Sequence, residues 1–249
     1  MNGALIFGGS RGIGQATAEL LAANGWYVTI ADVLEEPGEA IASEIGGSFV
    51  RCDVSDPDQI AAAFASTDKK TQLLKLVFNN VGIARYGTVE VLELSDWQTT
   101  FAVNVTAQFL SAKYAIPRLR KNGGGVIINT ASILAHASQK MTAAYSASKA
   151  AVLGLTRTIA IDHAHEGIRA VSISPGTIDT PLVQIAAEQF ADATGPEMRD
   201  KWAAAHPIGR LGEPTEVAAA VLFLAGPGAG FITGSDILID GGVSSEFYK

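Results

Sequence analysis

A single cysteine, Cys52, stands in 249 residues, so no internal disulfide can form and a reducing, cytoplasmic setting is expected. Positive charge is scarce as well. Eighteen Lys and Arg against 25 Asp and Glu leave a net charge of -7, which offers no electrostatic footprint for nucleic acid and makes a membrane surface an equally poor partner. Long apolar runs are missing: the greasiest stretch, 150–161, is interrupted by Arg157 and flanked by Lys149, short of the ~18 residues a membrane span needs. The chain enters a Gly-rich turn directly after residues 4–7, so no signal peptide is expected. Of the four histidines, His163 and His165 stand two positions apart and do not share a helical face. No cysteine or carboxylate cluster accompanies them at ligand spacing, and no metal site is expected. What the chain has in abundance is apolar residues, 48% against 17% charged, enough for a large core and against disorder.

Residues 4–7 read as a buried strand, followed by Gly8-Gly9-Ser10-Arg11-Gly12-Ile13-Gly14 and a helical pattern through Leu20 and Leu21. Strand, glycine turn and helix is the order that brings a backbone close to a pyrophosphate at the positive end of a helix. Alone, such a turn is equally a tight connection. A second strand over 27–31 ends at Asp32, eighteen positions past Gly14, close to the spacing at which a carboxylate meets the adenosine ribose. A carboxylate there favours NAD over NADP by repelling a 2′-phosphate. Arg11 is the opposing feature, because its guanidinium could pair with that phosphate. Helices over 38–45 and 56–65 alternate with strands over 48–52 and 76–78, and Asp53 and Asn79 stand at strand ends where adenine and its sugar would lie. A long helical pattern over 97–119 holds Asn104, a mediocre helix former, in its interior. Strands over 126–129, 169–174 and 237–239 and a helix over 216–224 complete the series. Between 177 and 207 the pattern breaks into short helical pieces with Gly195, Pro196 and Pro207, the composition of a substrate lid. The expected fold class is α/β: a doubly wound parallel sheet (Rossmann-type) of about seven strands with helices on both faces, one domain over 1–249.

Tyr145 and Lys149 stand four apart in Ala- and Ser-rich sequence that starts a helix near Thr142, so they share a helical face. Moving a phenol from near 10 to about 7 takes roughly 4 kcal/mol of preferential phenolate stabilisation. A lysine ammonium about 5 Å away supplies roughly 3 kcal/mol at an effective dielectric near 20. An oxidised nicotinamide adds a second positive charge, and the pair becomes a base matched to an alcohol proton. An isolated Tyr-x-x-x-Lys is more often a surface pair; the motifs around it reverse those odds.

Over essentially its whole length the chain resembles the short-chain dehydrogenase/reductase family in its compact single-domain branch. Gly8, Gly12 and Gly14 match the Gly-x-x-x-Gly-x-Gly turn, Asp53 the adenine contact, and Asn79-Asn80-x-Gly82 the strand-four motif. Asn104 matches the structural and proton-relay asparagine, Ser132 the serine thirteen positions before the tyrosine, Tyr145 and Lys149 the catalytic pair, and Pro175-Gly176 with Thr180 the segment beside the nicotinamide. Phe7, Val81 and Ala135 depart from the family's usual threonine, alanine and glycine. The resemblance implies an NAD-dependent enzyme that interconverts a secondary alcohol and a ketone. In that reading Tyr145 takes the proton, Ser132 hydrogen-bonds the substrate oxygen, Lys149 lowers the tyrosine pKa and grips the nicotinamide ribose, and Asn104 holds a water between Lys149 and solvent. Cofactor contacts are expected from Gly8, Ser10, Arg11, Gly12, Ile13, Gly14, Asp32, Asp53, Val54, Asn80, Gly82, Tyr145, Lys149, Pro175, Gly176, Ile178 and Thr180. Substrate contacts are expected from Leu134, His136, Met141 and Leu182, in a mostly apolar pocket that Ile178, Val183 and Ile185 extend. A homotetramer is implied, pairing through the helices around Asn104 and Tyr145 and through the last strand. Two rival functions share these motifs: an NADPH-dependent 3-oxoacyl-thioester reductase, favoured by Arg11, and a non-catalytic NAD sensor, disfavoured by the complete Ser-Tyr-Lys set.

Overall fold

The computed structural model describes residues 1–71, 73–189 and 195–245. Strands β1 (Gly3–Phe7), β2 (Tyr27–Asp32) and β3 (Ser48–Arg51) alternate with helices α1 (Gly12–Ala23), α2 (Glu35–Glu44) and α3 (Pro57–Lys70). Beyond β4 (Leu74–Asn79), helices α4 (Leu94–Phe101) and α5 (Ala107–Lys121) lead to β5 (Gly125–Thr130), α6 (Ala143–His163) and β6 (Ile168–Pro175). The chain closes with α7 (Pro181–Gln189), α8 (Gly195–Ala205), α9 (Pro214–Ala225) and β7 (Asp236–Ile239). All seven strands are parallel, in the order β3-β2-β1-β4-β5-β6-β7. The expected doubly wound sheet is therefore the observed one.

Alternate residues of one strand feed opposite cores, as a strand's two-residue period requires. On β1, Ala4 and Ile6 pack with Leu21, Ile41 and Val217 from α1, α2 and α9, while Leu5 and Phe7 pack with Phe64, Ala115 and Ile159 from α3, α5 and α6. Phe7, where the family's usual threonine would offer a hydroxyl, instead fills the second core against Phe64 at 5.8 Å. The strand order reverses direction between β1 and β4, and the crevice outside their carboxyl ends is where open α/β sheets hold ligands.

Three differences from the sequence expectation have a local cause or bear on the site. Helix α2 starts at Glu35 rather than at 38 because Pro37 sits in its first turn, where a missing N–H costs nothing. The long helix expected over 97–119 is interrupted by a π-helical turn, Ala102–Thr106, that contains Asn104. The expected lid resolves into α7 and α8; its residues 190–194, like the tail at 246–249, lie outside the described residues.

Candidate active site

The glycine turn after β1 is fastened from both neighbouring strands. Gly8, at φ 81°, donates its N–H to Ala31 O at 2.8 Å, and Asn80 returns a side-chain bond to Gly8 O at 3.0 Å. A Cβ on Gly14 would collide with Gly8 O, so only glycine lets α1 begin this close to the strand end. Arg11 precedes α1 without capping it by its side chain, which leaves the first N–H groups of the helix facing the crevice.

From that turn a cleft extends along the strand ends, lined by Gly8, Arg11, Gly12, Ile13 and Asp32, then by Asn80 to Ile83, and finally by Ser132, Tyr145, Lys149, Pro175, Gly176, Ile178, Thr180 and Leu182. Asp32 is buried, one carboxylate oxygen accepting from Ser10 N at 3.0 Å and the other from Leu34 N at 3.1 Å. Those bonds aim the carboxylate and leave lone pairs for further donors.

At the other end, β5 and α6 bring three groups together. The Ser132 hydroxyl stands beside the Tyr145 phenol in the cleft wall, where it favours the phenolate, and it accepts from Leu134 N at 3.1 Å. Lys149 Nζ lies 5.6 Å from the centre of the Tyr145 ring and donates to Thr130 O at 2.8 Å. Lys149 is buried at 2% exposure, and removing its ammonium from water pulls its pKa down to about 8. Burial pushes the Tyr145 phenol up to about 12, against the smaller downward pull of the Ser132 bond. The lowering expected from the lysine alone does not show in this value: burial dominates it, and the Lys149 ammonium is hydrogen-bonded to the Thr130 carbonyl.

A sequence-family model described as enoyl-(acyl carrier protein) reductase matches residues 8–244. Cyclohexanol dehydrogenase from Acinetobacter sp. (strain SE19) is 37% identical over 249 residues, covering 98% of this chain and 95% of its own. The 3-ketoacyl-(acyl-carrier-protein) reductase of Brucella melitensis, in complex with NADH, superimposes with a TM-score of 0.90 at 32% identity, covering 98% of both chains. A variant of actinorhodin polyketide ketoreductase, with NADPH, reaches a TM-score of 0.94 at 29% identity, again over 98% of both. The chain belongs to the short-chain dehydrogenase/reductase family.

As a short-chain dehydrogenase/reductase it is an oxidoreductase that uses a nicotinamide cofactor, and its residues fit one. The uncapped start of α1 suits a pyrophosphate, and a buried ammonium with two N–H groups beyond its Thr130 bond suits ribose hydroxyls. Several sequence-derived contacts are not in the cleft wall. The Ser10 hydroxyl donates to Leu34 O; one Asp53 carboxylate oxygen accepts from Ser55 N at 2.9 Å and Ser55 Oγ at 2.7 Å; Val54 is buried in the core. Asn79 donates to Asn129 Oδ1 at 2.8 Å inside the sheet rather than facing an adenine, and Gly14 lies behind the turn.

Asn104 is fully buried, its side chain accepting from Ile83 N at 2.9 Å and donating to Ile83 O at 2.9 Å and Ser148 Oγ at 3.0 Å. Its amide thereby fastens both backbone groups of Ile83, the residue after Gly82. A Cβ on Gly82 would lie 3.2 Å from Lys149 Nζ and 3.7 Å from Asn104 Oδ1. Of the expected substrate contacts, only Leu182 lines the cleft. His136 is drawn to Asp236 Oδ2 at 2.7 Å and, with Leu134, lines a separate depression beside α6; Met141 is half exposed at φ 64°, its carbonyl accepting from Gly87 N. Sequence reasoning missed Thr130, whose backbone carbonyl fixes Lys149, because a carbonyl partner leaves no trace in residue type. Among the described residues no cluster of His, Cys, Asp and Glu could hold a metal, and no helix is long and apolar enough to cross a membrane.

Proposed function

We propose that this protein is an NAD(H)-dependent oxidoreductase that interconverts a secondary alcohol and a ketone, with Tyr145 as general acid and base. The observation that carries the reading is that Ser132, Tyr145 and Lys149 line the same cleft, with Lys149 Nζ over the tyrosine ring. A bound nicotinamide supplies the hydride acceptor or donor and, when oxidised, a positive charge near the phenol. Ser132 donates a hydrogen bond to the substrate oxygen as negative charge develops there. Tyr145 takes the hydroxyl proton in oxidation and returns it in reduction. Lys149 holds the ribose and keeps cationic charge beside the phenol. Asp32 supports NAD, since a 2′-phosphate would meet a carboxylate already aimed by two backbone N–H groups.

Val81, Ile83, Ile178, Leu182 and Val183 make the substrate end of the cleft apolar, which suits a secondary alcohol of modest polarity such as the cyclohexanol of the Acinetobacter relative. A second reading, reduction of a 3-oxoacyl thioester with NADPH, draws on Arg11 in the cleft wall and on the Brucella likeness. One experiment separates them: turnover of cyclohexanol with NAD and NADP, beside reduction of an acetoacetyl thioester with NADH and NADPH. The proposal expects NAD and the cyclic alcohol to be preferred, and Tyr145→Phe to bind NADH while losing turnover by about 10²-fold to 10⁴-fold. Full turnover by Tyr145→Phe would rule out the assignment. The same reading includes a homotetramer, supported by apolar side chains left exposed on α5, α6 and β7.

A further inference from the structure

Behind the segment that follows β6 lies a second cavity of about 270 Å³, which shares Gly176 and Ile178 with the cleft. His206, the residue after α8, borders it and is only 4% exposed. One ring nitrogen, Nδ1, lies 2.7 Å from Trp202 O; the other, Nε2, lies 3.2 Å from Thr177 N. A carbonyl oxygen can only accept and a backbone N–H can only donate, so Nδ1 carries the proton and Nε2 presents a lone pair. The ring therefore ties the end of α8 to the strand-end segment in one tautomer. That segment is pinned on its other side too: Gly212 N donates to Thr177 O at 3.0 Å, and Asp179 N donates to Gly212 O at 2.8 Å. A Cβ on Gly176 would stand 2.9 Å from His206 Nε2 and 2.9 Å from Asp240 Cα, so the imidazole edge and the end of β7 together set where this backbone runs.

We propose that His206 is a positioning residue for the dinucleotide: by accepting the Thr177 N–H, its Nε2 holds residues 176–180 at the height that shapes the nicotinamide end of the cleft. The inference rests on the proposed reading that this segment lies along the nicotinamide. It adds a residue outside the cleft. The charged groups around the ring are Asp240 at the end of β7, the Arg210–Glu216 pair across the cavity, and the Arg199–Asp179 pair at 2.7 Å, a second tie from α8.

The test uses two variants that divide the ring's bonds. His206→Asn keeps a donor at the Nδ1 position and lacks the Nε2 acceptor; His206→Gln reaches the Nε2 position with a carbonyl oxygen that can accept the Thr177 N–H. NADH and ADP-ribose affinities are measured by fluorescence titration and calorimetry. The expected result is NADH binding about threefold to tenfold weaker in His206→Asn with ADP-ribose unchanged, and near wild type in His206→Gln. His206→Asn binding NADH as wild type does, both variants weakened alike, or ADP-ribose weakened in step with NADH would overturn the inference and leave the proposed function standing. A wild-type chain that bound no NADH would overturn both.

Discussion

Lys149 holds its ammonium at 2% exposure with Thr130 O as its hydrogen-bond acceptor, and its pKa is pulled down to about 8 by burial. The unfolded chain returns that group to its ordinary value near 10.5, so between pH 8 and 10.5 the unfolded state carries a proton that the folded state lacks. Stability contributed by this residue therefore rises with pH through that window, and below pH 8 the folded state bears the full cost of a buried charge. Tyr145 acts in the opposite sense. Its phenol is pushed up to about 12, so the folded state keeps a proton that the unfolded state loses from pH 10 upward, and stability falls there. Lys149→Met removes the first effect while keeping the side chain's length. At pH 7 the variant is expected to be more stable than wild type by on the order of 2 kcal/mol, with the gain shrinking toward pH 10, and to lose turnover. Urea unfolding at pH 7, 8.5 and 10 measures this. A wild-type lysine retained at such a cost belongs to function rather than to folding, and a variant less stable than wild type at pH 7 would contradict the argument.

At the scale of elements, the interruption between α4 and α5 is the feature that connects packing to the site. A π-helical turn adds a residue to the helix and carries Asn104 to a place where its amide completes the hydrogen bonding of Ile83. Asn104→Ala leaves Ile83 N–H, Ile83 O and one side of Ser148 without that partner, an expected cost of about 2–3 kcal/mol in denaturant unfolding. Turnover should fall as well, by roughly tenfold or more, because Gly82 and Lys149 lose their common support. The sequence was legible wherever one periodicity ran unbroken: β1, β4, β5 and β6 are apolar runs that the sheet buries on both faces, and Ser132, Tyr145 and Lys149 meet because a strand end and one helix face bring them together. It was illegible where the decisive partner is a backbone atom or another element. Ser10 and Asp53 have the right type for a cofactor contact, and the turns that engage their side chains leave no trace in residue type. His136 follows the serine strand in sequence, but Asp236, a hundred positions away, draws it off. Phe7 loses a hydroxyl tie that Asn80 makes instead, through Gly8 O, from the neighbouring strand.

On the scale of the whole molecule, strand β7 ends the sheet and offers an unpaired edge among the described strands. Around that edge stand Leu238 on the strand, Phe231 in the turn before it, fully exposed at 104%, and Phe223 on α9, half exposed. A phenylalanine left in water forgoes about 2–3 kcal/mol of burial, and single chains seldom keep several such groups beside a free strand edge. Phe109 on α5 and Ile161 on α6 give a second exposed apolar region on a different part of the chain. Two such regions suit the two distinct contacts of a tetramer with dihedral symmetry. Light scattering of the wild-type chain is expected to give a tetramer, Phe231→Asp a dimer that keeps the α5 and α6 contact, and Phe231→Asp combined with Ile161→Asp a monomer. Because Phe231 is not among the residues that line the cleft, the dimer should retain NADH binding, which separates assembly from cofactor recognition; a monomeric wild-type chain would show that these apolar groups serve something other than self-association.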